Sequence, residues 1–232
     1  MKKMISVFTI LLTFFVMTCT ASALVFYDST FNDSDWSLTI QTKAGGGTVT
    51  AMQVATGGNP GEFREIINSV NYGPGSSVFG YHIRNGADYD PSTEGAIGSI
   101  DYSEDSIMFT GFGDGEATGP ALFQNGKYYY SAQLYSNQSV WTHQSLLSLG
   151  EQDFHTLYDN NDHPDFSATG SIISFGFFRA NTTTFGSYTI DAGIDNWTLK
   201  INPAVPIPEP STMILLGFGL VGFGYLKSRN HD

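Results

Sequence analysis

The sequence predicts an all-β protein, a two-sheet jelly-roll sandwich flanked by an N-terminal signal helix and a short C-terminal membrane helix. Short runs rich in β-branched and aromatic residues recur along the chain, and Gly, Asn, Asp and Pro separate them. Between the two ends no segment shows a sustained helical period. About a dozen strands in roughly 180 residues favour two packed sheets. The predicted units are residues 1–23, 24–204 and 205–232.

Individual strands and turns follow from local patterns. The predicted strands are WSLTIQT, TVTAMQV, FREIIN, SVFGYHI, AIGSIDY, SIMFTGF, KYYYSAQLY, SIISFGFFR, SYTIDA and DNWTLKI. Asn125-Gly126, between PALFQ and KYYYSAQLY, predicts a type I′ hairpin turn. The stretch LGEQDFHTLY accommodates one short helical turn.

The N-terminus has the three parts of a secretory signal peptide. Lys2 and Lys3 precede an apolar core from Met4 to Met17, and Ala21-Ser22-Ala23 is a small-x-small cleavage site. The Sec translocon and signal peptidase are therefore the predicted first partners. Cleavage removes the chain's single cysteine, Cys19, so the exported body must be stable without disulfides.

The body, residues 24–204, has the size of one domain and is strongly acidic. It carries 6 Lys and Arg against 20 Asp and Glu, a net charge of −14. Such a field disfavours nucleic acid and anionic lipid surfaces. It suits solubility outside the cell and binding of divalent cations.

The C-terminal segment has three parts: a Pro-rich stretch, an apolar stretch and a basic tip. Residues 205–210 contain three prolines, which favour an extended, polyproline-like chain. Ser211 is placed to cap a helix over Thr212–Leu226, about 15 residues against the roughly 20 that cross a bilayer core. Lys227 and Arg229 follow and favour the cytoplasmic side. The pattern is that of a temporary stop-transfer element that presents its Pro-rich side outward.

Pro208, Glu209, Pro210, Ser211 and Thr212, followed by a Gly-rich apolar helix and a basic tip, closely resemble the PEP-CTERM sorting signal of Gram-negative bacteria. The resemblance implies removal of the tail by an exosortase, a membrane protease or transpeptidase, and association with exopolysaccharide and biofilm matrix. It implies transient anchoring in the inner membrane, followed by release to the cell surface or matrix. The same segment is also labelled the ice-binding protein C-terminal domain, but the body lacks the regular Thr arrays of an ice-binding surface.

The ends of the body resemble carbohydrate-binding-module-like and galactose-binding-like jelly rolls. The segments that carry this likeness are STFNDSDW, GGNPGEFREI and GIDNWTLKI, and a concanavalin-like sandwich shares several of them. The resemblance implies a structural Ca²⁺ between the opening segment and the final strand, held by Asn32 or Asp33 together with Asp195. The alternative is that Asn32 and Asp33 cap turns.

A second metal candidate is the loop FHTLYDNNDHPDF. Asp159, Asp162 and Asp165 offer oxygens of the kind that Ca²⁺ prefers, whereas His155 and His163 suit a transition metal. The alternative is a solvated loop whose Asp and Asn side chains cap turns.

Catalytic signatures are absent from the sequence. Glu62 and Glu65 are three residues apart and face opposite sides of a strand, so they do not form the carboxylate pair of a glycosidase. Asp101, Glu104 and Asp105 are typical of a hairpin edge. There is no Gly-x-Ser-x-Gly and, after export, no thiol. The protein is predicted not to be an enzyme.

Aromatic residues are the best candidates for a glycan platform, because sugar rings stack on flat aromatic faces. In KYYYSAQLY, Tyr128 and Tyr130 share one face while Tyr129 and Tyr135 share the other. Tyr129, Tyr135 and Trp141 are predicted to form the outer set.

The closing strand has a clear alternation. Trp197, Leu199 and Ile201 are predicted to face the core, and the intervening polar residues to face solvent. Together these observations predict an exported, non-enzymatic surface or exopolysaccharide-matrix protein with a glycan-associating body. The alternatives are a secreted polysaccharide hydrolase or lyase with a non-standard site, and a Ca²⁺-dependent structural matrix protein.

Overall fold

Two antiparallel sheets face each other in the computed structural model, which describes residues 23–111 and 115–204. The predicted signal peptide before residue 23, the sorting motif and the C-terminal membrane helix lie outside the described residues. Within the described part of the chain, no helix is long and apolar enough to cross a membrane. The body is therefore an all-β, two-sheet sandwich, as the strand pattern predicts.

The first sheet is organised around one long strand. Its strands are β1 (Leu24–Asp28), β3 (Gly47–Gly58), β4 (Gly61–Val70), β6 (Ile97–Thr110), β10 (Thr142–Leu149) and β13 (Tyr188–Pro203). Their order is β10-β6-β13-β4-β3, and β1 also pairs with β13. Strand β13 pairs with β6 along one side, and on the other side with β4 first and β1 later. The opening and closing strands are thus neighbours.

The second sheet has the order β11-β8-β7-β12-β5-β2, with β9 paired to the other half of β7. Its strands are β2 (Trp36–Lys43), β5 (Ser76–Tyr89), β7 (Glu116–Gln124), β8 (Lys127–Tyr130), β9 (Leu134–Ser136), β11 (His155–Thr156) and β12 (Ile173–Thr183). Helical structure in the described chain is limited to α1 (Pro91–Glu94) and the 3₁₀ turns Asp33–Asp35 and Glu151–Asp153. The second of these turns lies in the stretch LGEQDFHTLY, as predicted.

Aromatic and aliphatic side chains from both sheets fill the space between them. Trp197, Leu199 and Ile201 are all 0% exposed, which confirms the predicted inward face of the closing strand. The Trp197 ring meets Trp36 of β2 edge-on, with centroids 5.1 Å apart. This contact joins the two sheets near the point where β1 pairs with β13.

The predicted hairpin turn is confirmed. Asn125 and Gly126 have φ values of 53° and 76°, as a type I′ turn requires, and Gln124 pairs with Lys127. The strand that follows is shorter than predicted. It stops at Tyr130, and Leu134–Ser136 forms the separate strand β9 on the opposite half of β7.

The prediction of a hairpin edge at Asp101, Glu104 and Asp105 is wrong. All three lie inside β6, which has 14 residues and pairs with β10 on one side and β13 on the other. Acidic side chains are tolerated in this interior strand because each has a specific partner. Glu104 bonds Arg179 between the sheets, and Asp105 bonds His143 on the outer side.

Candidate functional site

Both faces of the second sheet are apolar. The inner face joins the core, and the alternate residues form an aromatic outer face. Its rings belong to Phe79, Tyr81, Phe123, Tyr128, Tyr130 and Phe178. Cross-strand pairs such as Phe123–Tyr128 and Tyr81–Phe178 place these rings side by side. An outer face of this kind is unusual for a soluble sandwich, because one face of an antiparallel sheet is commonly polar.

The outer face of the second sheet is concave. The Tyr128 and Thr39 hydroxyls lie 2.8 Å apart, although β8 and β2 are separated by four strand spacings. At about 4.8 Å per spacing, these strands would be about 19 Å apart in a flat sheet. A tyrosine and a threonine side chain do not bridge that distance, so the sheet curls and brings its two edges together.

One half of the concave face is covered by the chain that follows β11. Leu157 is buried against the aromatic rings, and the Tyr158 hydroxyl donates to Thr42 O of β2 at 3.1 Å. The Lys43 ammonium lies 5.7 Å from the centre of the Tyr158 ring. These contacts close the half of the face nearest the start of β5.

The other half of the concave face is an open cleft of about 330 Å³. Its lining combines aromatic, apolar and polar side chains: Ser37, Ile83, Arg84, Asn85, Gly86, Asp88, Phe123, Tyr128 and Ser174. Strands β2, β5, β7, β8 and β12 all contribute, so the cleft crosses the sheet. Because the lining residues lie mostly on strands, they are held by the ladder of backbone hydrogen bonds.

The aromatic side of the cleft is held by ring contacts. Tyr128 stacks on Tyr81 with centroids 5.0 Å apart, and Phe123 lies 4.8 Å from Tyr128. Tyr81 is 0% exposed, and burial, together with Tyr130 and Tyr158, raises its pKa. The rings therefore form a fixed, uncharged wall.

Gly176, between the aromatic and polar sides of the cleft, has no side chain to fill it. A Cβ on Gly176 of β12 would lie 1.8 Å from His82 O of β5, so no larger residue fits without moving the backbone. The strands shift register here, between Ser174 and Gly176. Beyond this irregularity Asp88 pairs with Ser174, and both residues line the cleft.

The polar side of the cleft is oriented by a second layer of hydrogen bonds. Arg84 Nε donates to Asp28 Oδ2 at 3.2 Å, and Asn85 Nδ2 donates to Ser34 O at 2.9 Å. Ser174 Oγ donates to Asp88 Oδ1 at 2.6 Å. These partners fix the guanidinium, amide and carboxylate groups in place before a ligand arrives.

Asp28 is the anchor of this layer. It is 4% exposed and also accepts hydrogen bonds from Trp36 Nε1 at 3.0 Å and from the Phe31 and Thr30 backbone. Burial alone would raise the pKa of Asp28, but these hydrogen bonds lower it overall. Asp28 is therefore an ionised partner for Arg84 at neutral pH, and the positive charge of Arg84 is compensated.

The chemistry of the cleft is that of recognition. Flat rings suit the apolar face of a sugar, and the oriented polar groups suit its hydroxyls. Hydrolysis of a glycosidic bond commonly uses two carboxyl groups that flank it. Among the residues that line the cleft, Asp88 is the one carboxylate.

The residues predicted to hold Ca²⁺ at the start and end of the body have separate partners. Asp33 Oδ1 accepts from Arg64 Nη1 at 2.9 Å and from the Gln53 backbone at 3.0 Å. Asn32 Nδ2 donates to Thr30. Asp195 is buried on β13, where it accepts from the Asn59 and Asn196 backbone N–H groups. Each of these three side chains thus has at least one hydrogen-bond partner within the protein.

In the acidic loop after β11, Asp side chains cap turns, which is the alternative to metal binding. Asp159 accepts from the Asn161 backbone and Asp165 from the Ser167 backbone, each within its own turn. Asp162 forms an ion pair with Lys127 at 2.7 Å. Within the described residues, no group of three or more His, Cys, Asp or Glu side chains is arranged to hold a metal ion.

The predicted glycan platform is wrong at Tyr129. This residue is 4% exposed and faces the core, because the alternation along β8 is opposite to the predicted one and Tyr128 lines the cleft. Tyr135 is 54% exposed but lies on β9, away from the cleft-lining residues. Trp141 is partly exposed and lies on the outer side of the first sheet.

The sequence patterns do not predict that Arg84, Asp88, Phe123 and Ser174 meet at one cleft. One signal for part of the set is present in the sequence. A two-residue turn at Asn125-Gly126 puts Phe123 directly opposite Tyr128, two positions from the turn on each strand. The contribution of β5 depends on a register shift around Gly86, whose φ is 81°, and an isolated Gly within a strand pattern is the sequence signal of such a bulge.

Comparison with known protein families decides the nature of the C-terminal segment. Residues 206–229 match the PEP-CTERM protein-sorting motif. The resemblance recognised in the sequence is thereby confirmed. The PEP-CTERM motif implies an exported protein and an exosortase as its partner. No curated protein matches the chain.

Among solved structures, the chain is similar to carbohydrate-binding modules. A family 11 module of a cellulosomal cellulase of Clostridium thermocellum is 13% identical, with a TM-score of 0.46 and coverage of 81% of this chain and 99% of that one. A family 22 xylan-binding domain from Paenibacillus barcinonensis is 9% identical, with a TM-score of 0.41 and coverage of 80% and 99%.

Proposed function

We propose that this protein is an exported, non-enzymatic surface or exopolysaccharide-matrix protein that an exosortase processes at its C-terminus. Its jelly-roll body binds a neutral polysaccharide in the cleft on the outer face of the second sheet. The observation that carries the proposal is the composition of that cleft. It sets the rings of Phe123 and Tyr128 beside the polar residues Asn85, Asp88 and Ser174.

The charge of the body favours a neutral glycan over an acidic one. The net charge of −14 over residues 24–204 repels an anionic polymer. The cation beside the cleft, Arg84, shares the inner face of the sheet with Trp36 and is already paired with Asp28 at 3.2 Å. Its charge is thus compensated within the protein and does not call for an anionic ligand.

The sorting motif supports an extracellular setting in which such a ligand is abundant. It matches residues 206–229, and the last described strand ends at Pro203. Only a few residues therefore connect the sandwich to the motif. We infer that exosortase processing delivers the sandwich to the surface or matrix, where polysaccharide is the main polymer.

Affinity electrophoresis of the exported protein through gels that contain neutral polysaccharides tests the proposal. Retardation by at least one neutral polysaccharide is expected. Phe123→Ala removes a stacking ring and should weaken the binding by about tenfold. Phe185→Ala is the matched control, because Phe185 is 94% exposed and lies outside the cleft. Equal retardation of the two variants would contradict the cleft assignment.

The hydrolase alternative is tested on the same samples. The release of new reducing ends from a retarded polysaccharide would show catalysis and overturn the non-enzymatic assignment. If turnover occurs, Glu62→Gln and Glu65→Gln identify whether either carboxylate takes part. The expected result is binding without any increase in reducing ends.

A further inference from the structure

Trp141 is held rigidly on the outer face of the first sheet. Its Nε1 donates to Gly57 O at 2.8 Å, and its ring meets Phe63 edge-on with centroids 5.5 Å apart. The six-membered ring lies over Gly193 of β13, where a Cβ would come within 2.9 Å of it. Trp141 is nonetheless partly exposed. The tip of the ring thus rests against a glycine, and its only polar side-chain atom is anchored.

A chain of polar side chains begins beside this ring and crosses the sheet. His143 Nδ1 lies 2.7 Å from Asp105 Oδ1, and Asn196 Nδ2 donates to Asp105 Oδ2 at 2.7 Å. Tyr27 on β1 donates its hydroxyl to Asn196 Oδ1 at 2.9 Å. The chain therefore links β10, β6, β13 and β1. It ends in a second exposed ring, since Tyr27 is 54% exposed.

A row of hydroxyl groups runs parallel to that chain. The strand register places Tyr27, Thr198, Ser103 and Ser145 side by side across four strands. Their sequence neighbours Trp197, Tyr102 and Leu146 belong to the core, so these hydroxyl-bearing side chains face outward. Four strands span about 14 Å at the usual spacing. This surface is a strip of donors and acceptors that ends in Tyr27 on β1, and the Trp141 ring lies alongside it over β13.

We propose that this strip, from Trp141 to Tyr27, is a second glycan-contact surface, so that one molecule holds two neutral polysaccharide chains on opposite sides of the sandwich. The ligand class rests on the proposed function, whereas the site does not share any residue with the cleft. The rings of Trp141 and Tyr27 suit the apolar faces of sugars, and the polar strip suits ring hydroxyls.

The chemistry of the strip favours a sugar over a protein surface or an anionic polymer. Trp141 packs on Phe63 and Gly193 of its own sheet, and polar side chains occupy the strip that runs to Tyr27, whereas a protein interface is centred on a contiguous apolar patch. Asp105, Asp195 and Asp101 make the face acidic, and Asp101 is offset by a single cation, Lys200, at 3.2 Å. A polymer of uronic acids would be repelled by this face.

The three tryptophans make this face directly observable. Trp36 and Trp197 are 5% and 0% exposed, which leaves Trp141 as the one tryptophan in the sequence that acrylamide reaches readily. Cellohexaose, laminarihexaose and mannohexaose are titrated into the exported protein while acrylamide quenching of tryptophan emission is followed. Protection from quenching by at least one hexasaccharide is expected. The cleft lies on the outer face of the second sheet, whereas Trp141 lies on the outer face of the first. Binding in the cleft therefore does not shield Trp141.

Variants separate the two sites. Phe123→Ala should leave the protection of Trp141 unchanged, and Tyr27→Ser should weaken it by about tenfold, because an exposed stacking ring is lost. Phe185→Ala serves as the control for removal of an exposed ring. The Trp141→Phe variant should lose the acrylamide-sensitive signal and keep its binding in affinity electrophoresis.

Each outcome has a clear consequence. Retardation in gels without protection of Trp141 would overturn the second surface and leave the cleft proposal standing. Protection that persists in Phe123→Ala, with no effect of Phe123→Ala on retardation, would support the second surface and remove the cleft. The absence of both retardation and protection would overturn both. Two working sites should also cross-link a dissolved polysaccharide, so its light scattering should rise with the wild type and not with either single-site variant.

Discussion

Arg179 Nη1 lies 3.1 Å from Glu104 Oε2, and neither side chain is exposed. Arg179 belongs to β12 in the second sheet and Glu104 to β6 in the first, so this ion pair connects the two sheets through the core. Arg179 Nε also lies 3.3 Å from Glu116 Oε2. Tyr102 and Thr118 donate their hydroxyls to Glu104. One guanidinium thus faces two buried carboxyl groups.

Replacement of Arg179 should be severely destabilising. The Arg179→Met variant keeps much of the side-chain volume but leaves Glu104 without its charged partner. Breaking a buried ion pair from one side costs about 3–5 kcal/mol, a large share of a typical total of about 5–15 kcal/mol. Denaturant melts measure the change. Lys200→Met, which breaks the exposed pair with Asp101, should leave the free energy of unfolding nearly unchanged. Equal effects of the two substitutions would contradict the role assigned to Arg179.

The stability of the sandwich should depend on pH through Glu116. Burial raises the pKa of the Glu116 carboxyl to about 8. The charge of Arg179 lowers this pKa, and the charges of Glu104 and Asp191 raise it. The folded protein keeps this proton up to about pH 8, whereas the ordinary pKa is 4.5. The stabilising contribution is therefore complete below pH 4.5 and is lost as the pH rises towards 8. The slope is roughly 1.4 kcal/mol per pH unit for one proton.

Glu116→Gln removes this titration and keeps the shape of the side chain. Its free energy of unfolding, measured by denaturant melts, should fall less steeply than that of the wild type between pH 4.5 and 8. His82 and Asp191 titrate in both proteins, so the difference between the two profiles isolates Glu116. Glu151→Gln, at an exposed position, is the control and should follow the wild-type curve. Superimposable profiles for Glu116→Gln and wild type would show that Glu116 is not the titrating group.

The closing strand and the hairpin were predictable because their signals are local. Polar and apolar residues alternate around Trp197, so period two identifies its inward face. In KYYY, aromatic residues occupy both faces of β8, so alternation separates Tyr128 from Tyr129 without saying which is buried. That choice depends on the curl of the whole sheet, which places Tyr128 against Thr39, 89 residues away in the chain.

The buried ion pair has no such local signal, and the turn at Asn125-Gly126 signals only the aromatic part of the cleft. The residues around Glu104 are those expected near a solvated acid. Its partner Arg179 is 75 residues away in sequence, so the neighbouring residues do not reveal the ion pair. Asp88 comes opposite Ser174 because β5 and β12 shift register between Ser174 and Gly176. The sorting motif is the opposite case. It is a short contiguous pattern, and the sequence alone was enough to identify it.

Processing of the tail makes a prediction that mass spectrometry can check. If the exosortase acts at Pro208-Glu209-Pro210, the exported protein should lack residues 212–232. Glu209→Ala should leave the precursor, with its intact C-terminus, in the inner membrane fraction. Asp232→Asn removes an acid outside the matched segment, residues 206–229, and should be processed normally. Recovery of intact C-terminus from the exported wild-type protein would contradict the proposed processing.

The closing strand provides the sharpest test of the packing. Trp197 is 0% exposed, meets Trp36 edge-on at 5.1 Å and has no covalent bond to assist it, since the chain's single cysteine is Cys19. Trp197→Ala should cost about 3–5 kcal/mol, from lost transfer free energy and the cavity that remains. Thr198, the next residue, faces outward and is partly exposed, so Thr198→Ala should cost less than about 1 kcal/mol. Denaturant melts of the two variants compare adjacent positions on one strand. A larger loss for Thr198→Ala would mean that the strand presents its opposite face to the core.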